Sequence, residues 1–398
     1  MTYPRYTRRS FGVLVAAVAL VAACGAPAPA ERSTGPGTAP AETPAAMPGD
    51  PLPAGTVTGI EQIVRDQMRG GRVPGMAVGV WIPGRGELVQ AYGVADLSSG
   101  AAFALDDRVR IASITKTFTA TAALILVDQG KLRLDDRLES FVPGIPNGPD
   151  ITVRQLLNMT AGVYDFTVDP EFTTSFDADP LAPFPVDRVL AILRRGPPAF
   201  APGQPGSWQY SDSNYILLEI IEEAAGEPAG TFIEREIIRK VRLPGTSYPT
   251  SPAIPPPASR GYLVAPLGAP ERDVTAVNPD VPGPAGAMIS TVAGLRAWAG
   301  ALATGKLLSA ASHAEQTAFV NANLSPALRT GYGAGLFEIN DFVGHNGAIY
   351  GFNTAMFRLP ETGATVVVVA NRSSNGEGVG LETFLLIARL LYPDRFSS

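Results

Sequence analysis

The tetrapeptide Ser113-Ile114-Thr115-Lys116 opens an apolar helical stretch that ends at Gly130, and the interpretation of the whole chain depends on it. Residues three apart on a helix share a face, so the Ser113 hydroxyl and the Lys116 amine can come within hydrogen-bond distance. A serine needs a neighbouring base to act as a nucleophile, and apolar surroundings can lower a lysine pKa enough for that task. The positive helix N-terminus would also favour an oxyanion there.

A capping serine beside a solvated lysine would give the same tetrapeptide, and Ser-x-x-Lys is a common pattern. The lysine content favours the catalytic interpretation. The 31 basic residues include only four lysines, which are Lys116, Lys131, Lys240 and Lys306. Where arginine is the usual cation, a lysine beside a serine indicates a group that can lose its proton.

Composition limits the class of protein. The 398 residues are 45% hydrophobic, enough for a large core, and the net charge of -6 predicts no nucleic-acid partner. We expect no metal and no cofactor, because the chain has no cysteine cluster, no histidine pair at ligand spacing and no glycine-rich phosphate loop. No stretch after residue 24 has the 18 or more apolar residues typical of a membrane span.

The sequence of the N-terminus indicates a targeting segment. Residues 1–23 combine a basic start with a 13-residue apolar run, which is typical of a signal peptide. Cys24, the only cysteine, follows Val21-Ala22-Ala23 and resembles the lipidated residue of a bacterial lipobox. We therefore expect an exported protein that is lipid-anchored to the outer face of the bacterial cell membrane. The alternative is an ordinary secretory signal that is cut near Ala23; residues 7–11 also resemble a twin-arginine export signal.

Residues 24–55, rich in proline and alanine, predict an extended tether, and residues 56–398 predict one folded domain. We predict loops over the proline-rich residues 244–284 and over most of residues 160–208. Periodicity predicts helices over residues 57–69, 113–130, 150–157 (capped by Asp150 or Thr152), 186–195, 213–225, 229–240, 291–303 and 382–391. It predicts strands over residues 75–82, 87–94, 332–339, 352–359 and 365–371.

Two strands come early and three come late. The simplest assembly is an α+β sandwich, in which a five-stranded antiparallel sheet joins both chain ends between flanking helices. The middle of the chain then forms an all-helical subdomain. We expect the site in the cleft between the two.

Two later stretches complement Ser113. The first, Gln209-Tyr210-Ser211-Asp212-Ser213-Asn214-Tyr215, precedes a predicted helix and could simply cap it. The second, Gly344-His345-Asn346-Gly347-Ala348, lies between late strands and could be a turn with an incidental histidine. No Gly-x-Ser-x-Gly occurs, which argues against a nucleophile-elbow hydrolase.

Together the three motifs resemble the serine β-lactamase and penicillin-binding-protein superfamily, in the branch that holds class C β-lactamases, D-alanyl-D-alanine carboxypeptidases and related esterases. That family carries Ser-x-x-Lys, Tyr-x-Asn and Lys/His-Thr-Gly in this order. The resemblance covers about residues 57–392, and it implies the same five-stranded sheet and helical subdomain. Its supporting phrases lie at residues 150–157, 260–262, 286–290 and 345–351.

The resemblance implies roles for individual residues. Ser113 would attack and become acylated, while Lys116 and Tyr210 would share the proton transfers. The backbone N–H groups of Ser113 and Ala348 would form the oxyanion hole. His345 would sit on the strand edge facing the cleft. The implied substrate-binding residues are Asp212, His345, Asn346, Gly347 and Ala348.

Departures from the family pattern bear on the substrate. Asp212 stands where an asparagine normally donates to the substrate amide carbonyl, and an ionised carboxylate only accepts. Asp212 would also disfavour a Tyr210 phenolate, unless it pairs with Lys116 and keeps that amine charged. Asn346 replaces a threonine and Ala348 has no hydroxyl, although carboxypeptidase relatives use such hydroxyls to hold a terminal carboxylate. Residues 158–162 (Asn-Met-Thr-Ala-Gly) replace a phrase that often reads His-Thr-Ser-Gly, a change that we interpret as structural.

The leading hypothesis is an exported serine hydrolase of the D-alanyl-D-alanine carboxypeptidase type, with a peptide, ester or β-lactam as its small acyl substrate. An esterase and a class C-like β-lactamase are alternatives. A catalytically weak sensor that binds penicillin is an alternative from another class. Nothing in the sequence indicates the oligomeric state.

Overall fold

The computed structural model describes residues 49–263, 271–373 and 378–396. The predicted signal peptide, Cys24 and most of the tether lie outside the described residues. None of the helices in the described ranges has the length and apolar character needed to cross a membrane.

Along the chain, early strands are followed by a long, mainly helical middle and then by late strands. In chain order, the helices are α1 (Ala54–Gly70), α2 (Thr115–Asp128), α3 (Val153–Leu157), α4 (Pro170–Ala178), α5 (Val186–Arg195), α6 (Ser213–Ala224), α7 (Ala229–Ile233), α8 (Arg239–Val241), α9 (Gly283–Gly286), α10 (Val292–Ala303), α11 (Ala310–Gln316) and α12 (Val379–Leu391). A π-helical turn, Glu234–Ile238, joins α7 to α8. The strands are β1 (Gly75–Ile82), β2 (Gly86–Gly93), β3 (Val109–Arg110), β4 (Tyr262–Leu263), β5 (Arg272–Asp273), β6 (Ile289–Ser290), β7 (Val320–Asn321), β8 (Thr330–Tyr332), β9 (Phe337–Ile339), β10 (Phe342–Ile349), β11 (Phe352–Arg358), β12 (Thr365–Ala370) and β13 (Arg372–Ser373).

The main sheet joins the two ends of the chain, as predicted. Its order is β2-β1-β12-β11-β10-β9-β8-β7, and every neighbouring pair is antiparallel. Met76 of β1 pairs with Ala370 of β12, which brings an early strand beside a late one. The predicted count of five strands is wrong, because this sheet has eight.

The extra strands have three origins: β10 lies where its glycines predict a turn, a glycine turn divides one predicted strand into β8 and β9, and β7 is too short to predict. β10 contains Gly344 and Gly347, yet it is a continuous strand of eight residues. A Cβ on Gly344 would lie 1.9 Å from the Met356 carbonyl, and one on Gly347 would lie 2.3 Å from the Ile111 carbonyl. These glycines therefore allow close backbone approach. The predicted strand over residues 332–339 is instead the β8–β9 hairpin, which turns at Gly335 with a φ of +72°.

Helices cover both faces of the sheet. Phe384 of α12 stacks on Phe357 of β11 on one face. On the other face, the Arg296 guanidinium of α10 lies over the Trp81 ring of β1. Both faces are apolar, and the interior strands β1 and β12 are buried along their whole length. The result is a three-layer sandwich.

The helical middle follows the predicted pattern with three additional helices, α4, α9 and α11. Thr152 caps α3 through a capping box with Gln155, which decides between the two predicted caps. The sequence predicts a loop where α4 lies, but Asp169 caps this helix and Pro170 starts it. α1 begins at Ala54, two residues before the predicted domain boundary at residue 56.

Candidate active site

Ser113 lies in a 3₁₀ turn, Ala112–Ile114, between β3 and α2. β3 is held by pairing with β6, and the Ile111 N–H donates to the Met288 carbonyl at 3.0 Å. Ala112 has a φ of +49°, a left-handed conformation that a residue with a side chain rarely adopts. The serine is thereby presented just before the first turn of α2, with 8% of its surface exposed.

The Lys116 ammonium nitrogen sits at the centre of three contacts. Nζ lies 3.1 Å from Ser113 Oγ, 2.5 Å from Asp212 Oδ1 and 2.7 Å from the Ala285 carbonyl oxygen. The lysine side chain is completely buried, and that of Asp212 is 13% exposed. The geometry thus contains the expected serine–lysine contact, together with a carboxylate and a carbonyl that both accept from the same amine.

These three contacts determine what Lys116 can do in each charge state. A charged amine has three N–H donors, and all three find an acceptor here. A neutral amine has two N–H groups and one lone pair. The ionised Asp212 carboxylate and the Ala285 carbonyl can only accept, so the lone pair of the neutral amine would face the Ser113 hydroxyl. The neutral form is therefore oriented to take a proton from Ser113.

Burial and charge act on Lys116 in opposite directions. Burial lowers the pKa of Lys116, and the Asp212 carboxylate partly restores it. Asp212 lies directly before α6, where the Tyr215 and Ile216 N–H groups donate to its backbone carbonyl. Its side chain is committed to Lys116, so this position does not present a free donor to a substrate.

Tyr210 lies next to this pair. Lys116 Nζ is 5.0 Å from the centre of its ring. Burial and the Asp212 charge raise the pKa of Tyr210 well above its usual value, and the nearby Ser113 hydroxyl opposes that change. The phenol therefore keeps its proton near neutral pH. It can donate that proton, but it is a poor base in the free protein.

The other late motif lies inside β10. The His345 ring is 1% exposed and packs against Phe337 at a centroid distance of 4.8 Å. Its Nδ1 donates to the Asn346 carbonyl at 2.5 Å, so Nε2, 3.3 Å from the Tyr332 hydroxyl, is the nitrogen that accepts. Burial and the Lys116 charge lower the pKa of His345 to about 3, which leaves the ring neutral. Contact between this ring and a substrate stays a prediction.

Gly347 is the point where β10 meets the serine turn, because its missing side chain leaves room for the Ile111 carbonyl. The Thr354 hydroxyl of β11 donates to the same carbonyl at 3.0 Å. Ala348 follows on the strand and is exposed, and Asn346 is half-buried. This contact places the next residue, Ala348, beside the turn that carries Ser113. The oxyanion hole and the substrate-binding roles of these residues remain predictions.

Two parts of this arrangement were not found from the sequence. The Ala285 carbonyl comes from α9, a short helix that begins at the end of the proline-rich segment, residues 244–284, whose sequence predicts a loop. Asp165 is a buried carboxylate near Lys116 and Asp212, in a loop whose polar residues look like ordinary caps. Neither carries a local sequence signal, because the contacts join residues more than 40 positions apart.

The described ranges contain no group of three or more histidine, cysteine or acidic side chains that could hold a metal ion. A groove of about 510 Å³ lies between residues 179–181, 252–260 and 272–276, and none of the predicted site residues lines it.

Comparison with known proteins identifies a family model and several relatives. A family model described as Beta-lactamase matches residues 60–389. Putative penicillin-binding protein PbpX of Bacillus subtilis (strain 168) is 28% identical over 274 residues, which cover 68% of this chain and 63% of that protein. Esterase EstB of Burkholderia gladioli is 32% identical over 156 residues, or 36% of this chain and 39% of the esterase. The chain thus spans less than two thirds of the length of these curated relatives.

A solved structure matches over a greater length. The D-stereospecific amidohydrolase from a Streptomyces species is 31% identical, with a TM-score of 0.74, and the match covers 84% of this chain and 98% of that one. The match confirms the predicted α+β fold class.

Proposed function

This chain belongs to the β-lactamase family of serine hydrolases, and on that premise we propose that it works through an acyl-enzyme on Ser113. The observation that carries the proposal is the position of Lys116 Nζ, 3.1 Å from Ser113 Oγ and anchored by two further acceptors. A base held at hydrogen-bond distance from a hydroxyl is the arrangement that nucleophilic catalysis by serine requires.

Acylation begins from neutral Lys116. Ser113 Oγ attacks the substrate carbonyl carbon and passes its proton to Lys116 Nζ. The bond from the carbonyl carbon to the leaving group then breaks, and Tyr210 gives its proton to the departing nitrogen or oxygen. Lys116 returns a proton to Tyr210, so the acyl-enzyme forms with no net change in protonation. A water molecule then cleaves the ester by the reverse sequence of proton transfers.

The oxyanion that forms on the carbonyl needs donors at the start of α2 and on β10. The Ser113 and Ala348 backbone N–H groups fill that role in the proposal. The close contact between Gly347 and the Ile111 carbonyl supports it, because it brings β10 against the serine turn. One such donor contributes about 2.7–4 kcal/mol to the transition state in acyl transfer.

The first candidate substrate is a short peptide or amide with D-configured residues, as in D-alanyl-D-alanine cell-wall peptides. The similarity to a D-stereospecific amidohydrolase over 98% of its length supports this class. The similarity to a penicillin-binding protein supports a cell-wall peptide within it.

An ester is the second candidate, and one observation favours it. The Asp212 carboxylate is bound by Lys116 and offers no donor to an amide carbonyl. Ala348 has no hydroxyl with which to hold a terminal carboxylate. Esters are intrinsically easier to cleave and depend less on such contacts, and the similarity to esterase EstB points the same way.

One experiment separates these candidates. Purified residues 49–398 would be assayed side by side with a D-Ala-D-Ala peptide, a short-chain p-nitrophenyl ester and a chromogenic cephalosporin. The proposal expects turnover of the peptide; turnover of the ester alone would favour an esterase, and of the cephalosporin a β-lactamase. Labelling by a fluorescent penicillin that is released only over hours, without turnover of any substrate, would favour the sensor.

We also propose that the protein is exported and lipid-anchored through Cys24, as the sequence of residues 1–24 suggests. Exchange of Cys24→Ala in the full chain should move the protein from the membrane fraction to the soluble fraction of cells. A variant that remains in the membrane fraction would contradict the anchor.

A further inference from the structure

Asp165 is a buried carboxylate that takes no part in the proposed proton transfers. Only 6% of the residue is exposed. Its Oδ1 accepts from the Thr167 backbone N–H at 3.1 Å, which caps a short 3₁₀ turn, Phe166–Val168. The next residue, Phe166, donates its N–H to Ser213 Oγ at 2.9 Å. That bond ties the Asp165 loop to the residue that follows Asp212.

The groups around Asp165 contain more negative than positive charge. Lys116 is the cation among them, and Asp212 is a second carboxylate. Asp165 also acts on the phenols of Tyr164 and Tyr210, and its charge raises the pKa of both. One buried ammonium can balance only one buried carboxylate, and an unbalanced buried charge is costly.

We propose that Asp165 is a positioning residue for this reaction, whose proton sets how readily Lys116 becomes the neutral base that activates Ser113. The inference rests on the proposed acyl-enzyme at Ser113. While Asp165 is protonated, the Lys116 ammonium and the Asp212 carboxylate form an ion pair with no net charge. When Asp165 ionises, a second negative charge faces Lys116 and stabilises its ammonium form.

The direction of the effect on pH dependence follows from these charges. Burial and the Asp212 charge raise the pKa of Asp165 to about 7, against the opposing influence of Thr167 and Lys116. Above that pH, ionised Asp165 raises the pKa of Lys116. Lys116 therefore loses its proton at a higher pH in the wild-type protein than it would in a variant with an uncharged residue at position 165.

Asp165→Asn tests this directly, because the asparagine carbonyl can still accept from the Thr167 N–H but cannot ionise. We expect the ascending limb of kcat/KM against pH, measured with a p-nitrophenyl ester, to move to lower pH by about one unit. Asp169→Asn is the matched control. Asp169 is also buried and caps α4 in the same chain segment, but its ion-pair partner is Arg195. In the Asp169→Asn variant, the ascending limb of kcat/KM should lie at the same pH as in the wild type.

An Asp165→Asn variant whose limb coincides with that of the wild type would overturn the inference, even if its activity were lower. A second measurement does not depend on any variant. A buried protonated carboxyl gives an infrared carbonyl band, which in the wild-type protein should disappear near pH 7. If no such band titrates, Asp165 does not hold its proton and the inference fails. Full esterase activity in Ser113→Ala would instead overturn the proposed function itself.

Discussion

At the scale of single residues, the chemistry depends on one nitrogen and its three acceptors. Lys116 Nζ is shared by Ser113, Asp212 and the Ala285 carbonyl, and burial lowers its pKa while Asp212 raises it. The serine and the lysine were predictable from a tetrapeptide because a helix brings them together locally. The Ala285 carbonyl and Asp165 were not, since only the tertiary fold brings them to the amine.

Asp212→Asn should change the preference between substrates. The asparagine removes the charge that raises the Lys116 pKa, and it supplies an N–H donor for an amide carbonyl. We expect kcat/KM for a D-configured amide to rise relative to that for an ester, by about tenfold, the value of one neutral hydrogen bond. The measurement is the ratio of the two kcat/KM values.

Asp106→Asn serves as the matched control for that ratio, because Asp106 is exposed and is not one of the three hydrogen-bond partners of the Lys116 amine. Its ratio should equal that of the wild type. If Asp212→Asn leaves the ratio unchanged or shifts it towards the ester, the view that the carboxylate limits amide recognition is wrong.

At the scale of elements, β10 is the strand that completes the site. Its sequence, with two glycines, an asparagine and a histidine, resembles a turn when it is considered locally, and this is why its length was not predicted. The glycines are required by neighbouring backbones, which local patterns do not reveal. By contrast, β1, β12 and the capped helix α3 were predicted because apolar runs and caps are local signals.

Gly347→Ala should separate β10 from the serine turn. The added Cβ would lie 2.3 Å from the Ile111 carbonyl, so the backbones must move apart. We expect a loss of about 1–3 kcal/mol in the free energy of unfolding. The kcat for ester hydrolysis should fall by about 100-fold, because the Ala348 N–H is displaced.

Gly300→Ala is the control for that change. Gly300 lies inside α10, and its Cβ would meet nothing within 4 Å. This variant should gain up to about 1 kcal/mol of stability and keep its kcat. Urea unfolding and steady-state kinetics on both variants provide the comparison, and a Gly347→Ala variant with wild-type kcat would argue against an oxyanion donor on β10.

At the scale of the whole molecule, early and late strands form one sheet, and the helical middle folds against it. The pairing of β1 with β12 was predictable from the order of apolar runs. The number of strands was not, because the short β7, β8 and β9 have too few residues to show a period. His345 lies where this sheet meets the aromatic residues of the site, and its ring is neutral and buried.

That burial makes the stability of the molecule depend on pH. The pKa of His345 is lowered from 6.5 to about 3 in the folded state, so between these values the unfolded chain binds a proton that the folded chain does not. Above pH 6.5 the lowered pKa of His345 has no effect on the free energy of unfolding. As the pH falls below that value, it destabilises the fold. In His345→Gln, which cannot titrate, the loss of unfolding free energy between about pH 6.5 and 4 should be smaller by on the order of 3 kcal/mol. Urea titrations at a series of pH values give this slope, and equal slopes in both proteins would contradict a buried neutral ring.

Whether Ser113 carries the acyl group can be measured by mass spectrometry after brief exposure of the protein to an activated ester or a penicillin. The intact wild-type protein should gain the mass of one acyl group, and after digestion that mass should lie on the peptide that contains Ser113. Ser211→Ala, which removes a nearby hydroxyl with no hydrogen-bond partner in the described ranges, should still be labelled. Ser113→Ala should gain no mass; labelling of that variant at the wild-type rate would contradict the account.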